Sequence, residues 1–156
     1  METVMDMRLA AVCFVSLLAA TTTGAGDKAD PKSLKGTWKL VEVKWAETAS
    51  TRSIFLSSKS YLIIDGDRMT QRDENDGKVT ETKFKLTLDP SKKPAVYRRT
   101  ALDGKAKGTT TMGIYQVDGD TLLMCSKKEG LPTDFTIKQG QDVKDKYLDT
   151  YKRQKP

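Results

Sequence analysis

The chain has no histidine among its 156 residues. That absence removes Ser-His-Asp triads, histidine zinc sites and imidazole proton shuttles, which together carry much of hydrolytic chemistry. Cysteine is nearly absent too, with only Cys13 and Cys125. If Cys13 leaves with a leader, Cys125 has no intrachain disulfide partner. Ser53, Ser57, Ser58 and Ser60 lack a Gly-x-Ser-x-Gly setting and a base, so nucleophilic catalysis has no visible machinery. No basic stripe with interleaved aromatics is present, and the expectation is no nucleic-acid partner.

Apolar residues make up 37% of the chain and charged residues 31%, which allows one domain with a thin core. The formal net charge is +6; without residues 1–26, which hold Arg8, Glu2 and Asp6, it becomes +7. Lysine and arginine are interleaved with aspartate and glutamate along nearly every segment, as on the wet faces of strands. Such an excess favours anionic polymers or surfaces only where it clusters on one face.

Arg8 precedes an apolar run from Leu9 to Ala20, and small residues follow from Thr21 to Gly26. Positive end, short apolar stretch and small-residue region are the order of a secretory signal peptide. The expected division is therefore a signal peptide over 1–26, a linker over 27–33 and one domain over 34–156, exported to periplasm, envelope or medium. The run is shorter than the ~20 apolar residues a spanning helix needs, and the expectation is no membrane span.

From Gly36 onward, β-branched and aromatic residues come in short runs separated by Gly, Asp, Pro and Lys clusters. That spacing predicts an all-β domain, a single antiparallel barrel of eight or nine strands. In the first run, Trp38 and Leu40 share one face while Val41, Val43 and Trp45 take the other, which predicts a bulge between them. Residues 48–59 read as a connection with short helical turns around Ile54 to Leu56. Asp65-Gly66 predicts a turn, Asp73 to Lys78 a longer polar one, and Asp118-Gly119-Asp120 closes the clearest hairpin. Thr133 to Lys138 reads as a strand. The last segment fits either a helix through Val143, Tyr147, Leu148 and Tyr151 or a closing strand through Tyr147, Asp149 and Tyr151, and a barrel without an exposed edge favours the strand.

Alternation names Leu40, Phe84, Leu86, Met112, Ile114, Leu122 and Met124 as inward-facing and lining the barrel, where a small, partly apolar ligand would sit. The aromatics Trp45, Tyr61, Tyr97, Tyr115, Tyr147 and Tyr151 either line a pocket or fill the interior. The carboxylate pairs Asp65 and Asp67, Asp118 and Asp120, and the group Asp73, Glu74 and Asp76 sit at turns, where aspartate serves the local backbone. No metal site, cofactor or catalytic residue is therefore expected, and a monomer is the expected state. The alternative function is a structural or interaction domain of the cell envelope with a filled barrel.

Several short motifs occur in order: Leu34-Lys35-Gly36-Thr37-Trp38, Asp65-Gly66-Asp67, Leu88 to Pro94, Gly113 to Leu122, Cys125, and Pro132-Thr133-Asp134-Phe135. Together they resemble a planctomycete-type family of small exported, uncharacterised lipocalin-like proteins, over roughly residues 34–153. Where that family commonly carries arginine before its Pro-x-x-Phe element, this chain has Leu131. The resemblance implies a lipocalin-like barrel and little chemistry. The Gly36-x-Trp38 element is also similar to the opening of lipocalin and fatty-acid-binding barrels. By that likeness Gly36 bends the chain into the first strand, Trp38 plugs one end, and Arg153 or Lys152 covers the indole.

Overall fold

The computed structural model describes residues 31–46, 51–55, 59–138 and 145–155. The expected signal peptide, most of the linker, and Val143 lie outside the described residues. A short 3-10 turn, Pro31–Leu34, leads into β1 (Gly36–Ala46), β2 (Thr51–Phe55), β3 (Lys59–Asp65), β4 (Arg68–Asn75), β5 (Lys78–Asp89), β6 (Ala95–Ala101), β7 (Thr110–Asp118), β8 (Thr121–Lys127) and β9 (Lys146–Gln154). All pairings are antiparallel, and β9 returns to pair with β1, so the sheet closes into a barrel. Among the described residues there is no α-helix, and none is long and apolar enough to cross a membrane.

β1 organises the closure. One flank pairs with β9 along nearly its whole length, while the other pairs first with β3 and then with β2. β2 and β3 therefore run one after the other along the same side and together fill one of eight positions around the barrel. The reading of 48–59 as a connection with helical turns is corrected: Thr51–Phe55 is a strand, because the second half of β1 would otherwise leave its backbone unpaired on that flank. The register between β1 and β9 shifts between Leu40 and Glu42, the bulge that the change of buried face requires. Past it, Val43 lies opposite Asp149 and Trp45 opposite Tyr147.

Two further expectations change. The polar stretch from Asp73 to Lys78 is not one turn, because the β4 and β5 ladder continues to the pair Asn75 and Lys78 and leaves only Asp76-Gly77 to turn. Thr133 to Lys138 is not a strand. It runs as a strap over the outside of the barrel, where Phe135 and Ile137 cover Ile114, Cys125 and Leu148. Lys146, almost wholly buried, fastens the strap by donating from Nζ to Asp134 Oδ1 at 2.9 Å and to the Thr136 carbonyl at 2.7 Å. That contact, with the Thr136 amide, holds the Asp134 carboxyl below its ordinary range.

Because of the strap, β7, β8 and β9 are apolar on both faces. Tyr115, Leu122, Met124 and Tyr151 belong to the interior cluster, while Ile114, Cys125 and Leu148 form a second cluster outside the wall. A covered outer face hides the period-2 signal that normally separates inside from outside.

Candidate functional site

The strands give the barrel two unlike ends. At one, β1 begins and β3, β5, β7 and β9 finish. Trp38 lies there, fully buried, with its Nε1 donating to the Leu34 carbonyl at 2.8 Å. The Arg153 guanidinium sits 4.0 Å from the centre of the indole. It donates from Nη1 to the Lys35 carbonyl at 2.8 Å and from Nη2 to the Ser33 carbonyl, and its Nε lies 3.5 Å from Asp120. Gly36 stands beside it at φ 134°, a conformation side chains avoid, and an added Cβ would lie 3.0 Å from Arg153 Nη1. Gly36, Trp38 and Arg153 are thus brought together in one cap. Lys152 points elsewhere, donating to the Thr121 hydroxyl. This end is filled, as Leu62, Ile64, Met69, Leu122 and Tyr151 pack with Trp38 in one cluster.

The other end, the open end, is polar, and among the described residues no counterpart of the Trp38 cap closes it. Ser60 and Gln71 both donate to the inward Asp73 carboxylate, at 2.5 Å and 3.0 Å. Arg99 lies opposite Leu86 in the β5–β6 ladder and therefore points inward, with its guanidinium carbon 5.3 Å from the centre of the Phe84 ring. Opposite it on the other flank is Thr111. Asp149 faces inward from β9, opposite Val43 and Met124. Burial pushes the Asp149 carboxyl up to about 6, partly offset by the positive charge of Arg99 and by the Tyr151 hydroxyl. Tyr97 is pushed up to about 12 and Tyr151 well above its usual value, in each case first by burial, so both phenols remain neutral donors.

Gly113 makes room for this layer. An added Cβ would fall 2.2 Å from the Cys125 carbonyl oxygen and 2.6 Å from Tyr97 Cε1, so the Tyr97 ring occupies the space a side chain would take.

A depression of about 720 Å3 opens over the rim on the β6–β8 side. Its lining includes the inward-facing Thr111, Ser126 and Tyr147 together with the outward-facing Arg98, Thr110, Met112 and Lys127. Two of the few large apolar residues left exposed, Met112 at 39% and Tyr147 at 40%, are in this lining.

The residues named from sequence divide accordingly. Leu40, Leu86, Leu122 and Met124 lie in the interior cluster, and Phe84 packs against it. Met112 and Ile114 are corrected: both face outward. Ile114 lies beneath the strap and Met112 lies on the rim, because their β7 neighbours Gly113 and Tyr115 take the inside. Of the aromatics, Tyr61 faces out, opposite Arg72 and Lys39. Sequence reasoning passed over Arg99 and the carboxylate of Asp149, and it read Asp73 as a turn aspartate although Asp73 lies within β4 with its carboxylate turned inward. For Asp149 a signal was present, its alternation with Tyr147 and Tyr151. Among the described residues no cluster of acidic or cysteine side chains could hold a metal ion.

Compared with family models, curated proteins and solved structures, the chain matches none. The likeness in short motifs is therefore not a family assignment.

Proposed function

We propose that this barrel is an exported binding module that takes a small, partly apolar ligand at its open end, without catalysing a reaction on it. The observation that carries the reading is the depression of about 720 Å3 lined by Thr111, Ser126 and Tyr147 on the inner side of the wall and by Arg98, Met112 and Lys127 on the outer side. Ligand sites typically span roughly 300–1,000 Å3 and pair apolar walls with a few convergent polar groups. Met112 and Tyr147 supply apolar surface, and the threonine and serine hydroxyls supply the polar contacts. The filled, capped opposite end supports entry from this side alone. Export rests on the order of Arg8, the Leu9–Ala20 run and the small residues after it.

Native mass spectrometry of the protein recovered from its own host tests both parts. The expected spectrum shows a mature chain lacking its first two dozen or so residues and carrying added mass that Thr111→Trp removes. Protein without added mass, or added mass that Thr111→Trp leaves in place, counts against the binder, and an intact Met1 on protein outside the cytoplasm counts against the leader.

A second reading, an interaction domain of the envelope, is favoured by one feature. Arg68 lies directly opposite Lys85 in the β4–β5 ladder, and Lys83 and Arg98 share the same outer face. Like charges facing each other across a ladder are destabilising, so an anionic surface laid against β4 to β6 would relieve them. Salt-sensitive retention on anionic envelope material that is lost in Lys83→Gln/Lys85→Gln would support this reading; retention unaffected by salt would remove it.

A further inference from the structure

We propose that the depression on the rim is a phosphate site formed by Arg98, Lys127 and Lys128, and that its ligand is a small organic phosphate monoester, a dianion with one apolar face. This rests on the reading of the open end as a binding site and adds the chemical class of its ligand.

The inference starts from the charge of the lining. Arg98, Lys127 and Lys128 surround the depression, and no aspartate or glutamate lines it, in a chain that interleaves 21 acidic residues with its basic ones. Glu129 follows Lys128 in the chain but is exposed outside the lining. Among the described residues none of the three cations is in an ion pair. Around β1 to β4 the pattern differs: Lys35 pairs with Asp65 at 2.9 Å, Arg72 with Glu74 at 3.0 Å and Lys59 with Glu74 at 3.7 Å. Three like charges around one concavity repel one another, and a multiply charged anion seated between them removes that repulsion.

The register lets the cations converge. Arg98 lies directly opposite Met112 and Gly113 opposite Ser126, so Arg98, Met112 and Lys127 follow one another across β6, β7 and β8 on the outer face. With neighbouring strands about 4.8 Å apart, the Arg98 and Lys127 backbones stand about 10 Å from each other, and two such long side chains reach one phosphate between them. The guanidinium fork takes two of its oxygens, and the lysines balance the second charge as point charges. A carboxylate brings only one charge to the three cations. Met112, exposed between Arg98 and Lys127, and the exposed Tyr147 give the organic body an apolar surface, and Thr111 and Ser126 give it hydroxyl donors. A depression of about 720 Å3 is far larger than inorganic phosphate, which leaves room for that body.

Phenyl phosphate, benzoate, phenol and inorganic phosphate are titrated calorimetrically at pH 7.5, where the monoester is largely a dianion, into the wild-type protein, Arg98→Gln, Arg98→Gln/Lys127→Gln and the outer-face control Lys83→Gln/Lys85→Gln. All four substituted side chains are exposed, so each variant is expected to fold as wild type does. Charge-assisted hydrogen bonds predict that wild-type protein binds phenyl phosphate about 10- to 100-fold more tightly than phenol. Arg98→Gln should lose several-fold of that preference and the rim double variant nearly all of it, with phenol binding the same in both and the control behaving as wild type. Phenyl phosphate no tighter than phenol, or a preference that Arg98→Gln/Lys127→Gln leaves intact, would overturn the phosphate site and leave the binding depression standing. A control that loses as much as the rim double variant would assign the binding to diffuse surface charge and overturn the site as well. Benzoate as tight as phenyl phosphate would overturn the dianion, and inorganic phosphate as tight would overturn the organic ester. No binding of any probe to wild-type protein would remove the open-end reading and this proposal with it.

Discussion

Two arginines face the same barrel interior from opposite ends, and each lies over an aromatic ring: Arg153 is 4.0 Å from Trp38, and Arg99 is 5.3 Å from Phe84. Arg153 also reaches two backbone carbonyls and approaches the Asp120 carboxylate. Arg99 reaches none. At the capped end the Trp38 indole N–H and the Arg153 guanidinium both find backbone carbonyls, and the cation, the indole and the turn at Pro31–Leu34 stabilise one another. At the open end the fold keeps charges whose partners are incomplete, so that end is held at some cost in stability. A fold tolerates such an arrangement where something outside the chain completes it.

The comparison makes unequal demands on substitutions at the two ends. Trp38→Ala should have the largest effect, about 3–5 kcal/mol of lost stability in urea unfolding, because it empties the centre of the capped end. Arg153→Met keeps much of the volume but orphans the Ser33 and Lys35 carbonyls, and a loss of about 1–3 kcal/mol is expected. A smaller loss in Trp38→Ala than in Arg153→Met would mean that the cap, not the indole, carries that end.

At the open end the sign reverses. The native Asp149 carboxyl binds its proton more tightly than an unfolded one does, so between roughly pH 4 and 6 the native state holds the extra proton and stability falls as pH rises. Above that window the burden is fully present. Asp149→Asn should therefore be more stable than wild type by about 1–2 kcal/mol at pH 7.5 and should flatten the decline between pH 4 and 6. Arg99 and Tyr97 on β6 and Tyr151 on β9 interact with Asp149, and Asp73 on β4 acts on Tyr151. A wild-type profile rising from pH 4 to 6 would show that Asp149 is better compensated than its surroundings indicate. The smallest effect is expected on the strap. Phe135→Leu should cost under ~1.5 kcal/mol as an apolar exchange over Cys125 and Leu148, with the open end's ligand affinity unchanged.

The capped end was legible as a likeness carried by few and distinctive parts: a Gly-x-Trp pair and the adjacent basic residues Lys152 and Arg153 of the last strand, between which the sequence did not choose. The bulge in β1 was legible for a similar reason, since Trp38, Leu40, Val43 and Trp45 cannot share a face without it. Met112 and Ile114 were misread because β7 carries apolar residues on both sides, and only the strap explains why Ile114 tolerates the outside. Arg99 was invisible for a different reason. Arg98 and Arg99 are identical neighbours, and only the register with Leu86 turns one onto the rim and the other into the barrel. The polar stretch 73–78 looked like a turn because Asp73 is hydrophilic, yet the carboxylate points inward and is satisfied there by Ser60 and Gln71.

The most direct measurement is the unfolding free energy of the double variant Arg99→Met/Asp149→Leu at neutral pH, taken beside wild type. If the open end keeps its charges for a ligand's sake, replacing both with apolar groups should raise stability by about 1–4 kcal/mol. A double variant less stable than wild type would show that the two charges hold the barrel together, and the division between a structural end and a binding end would fall with it.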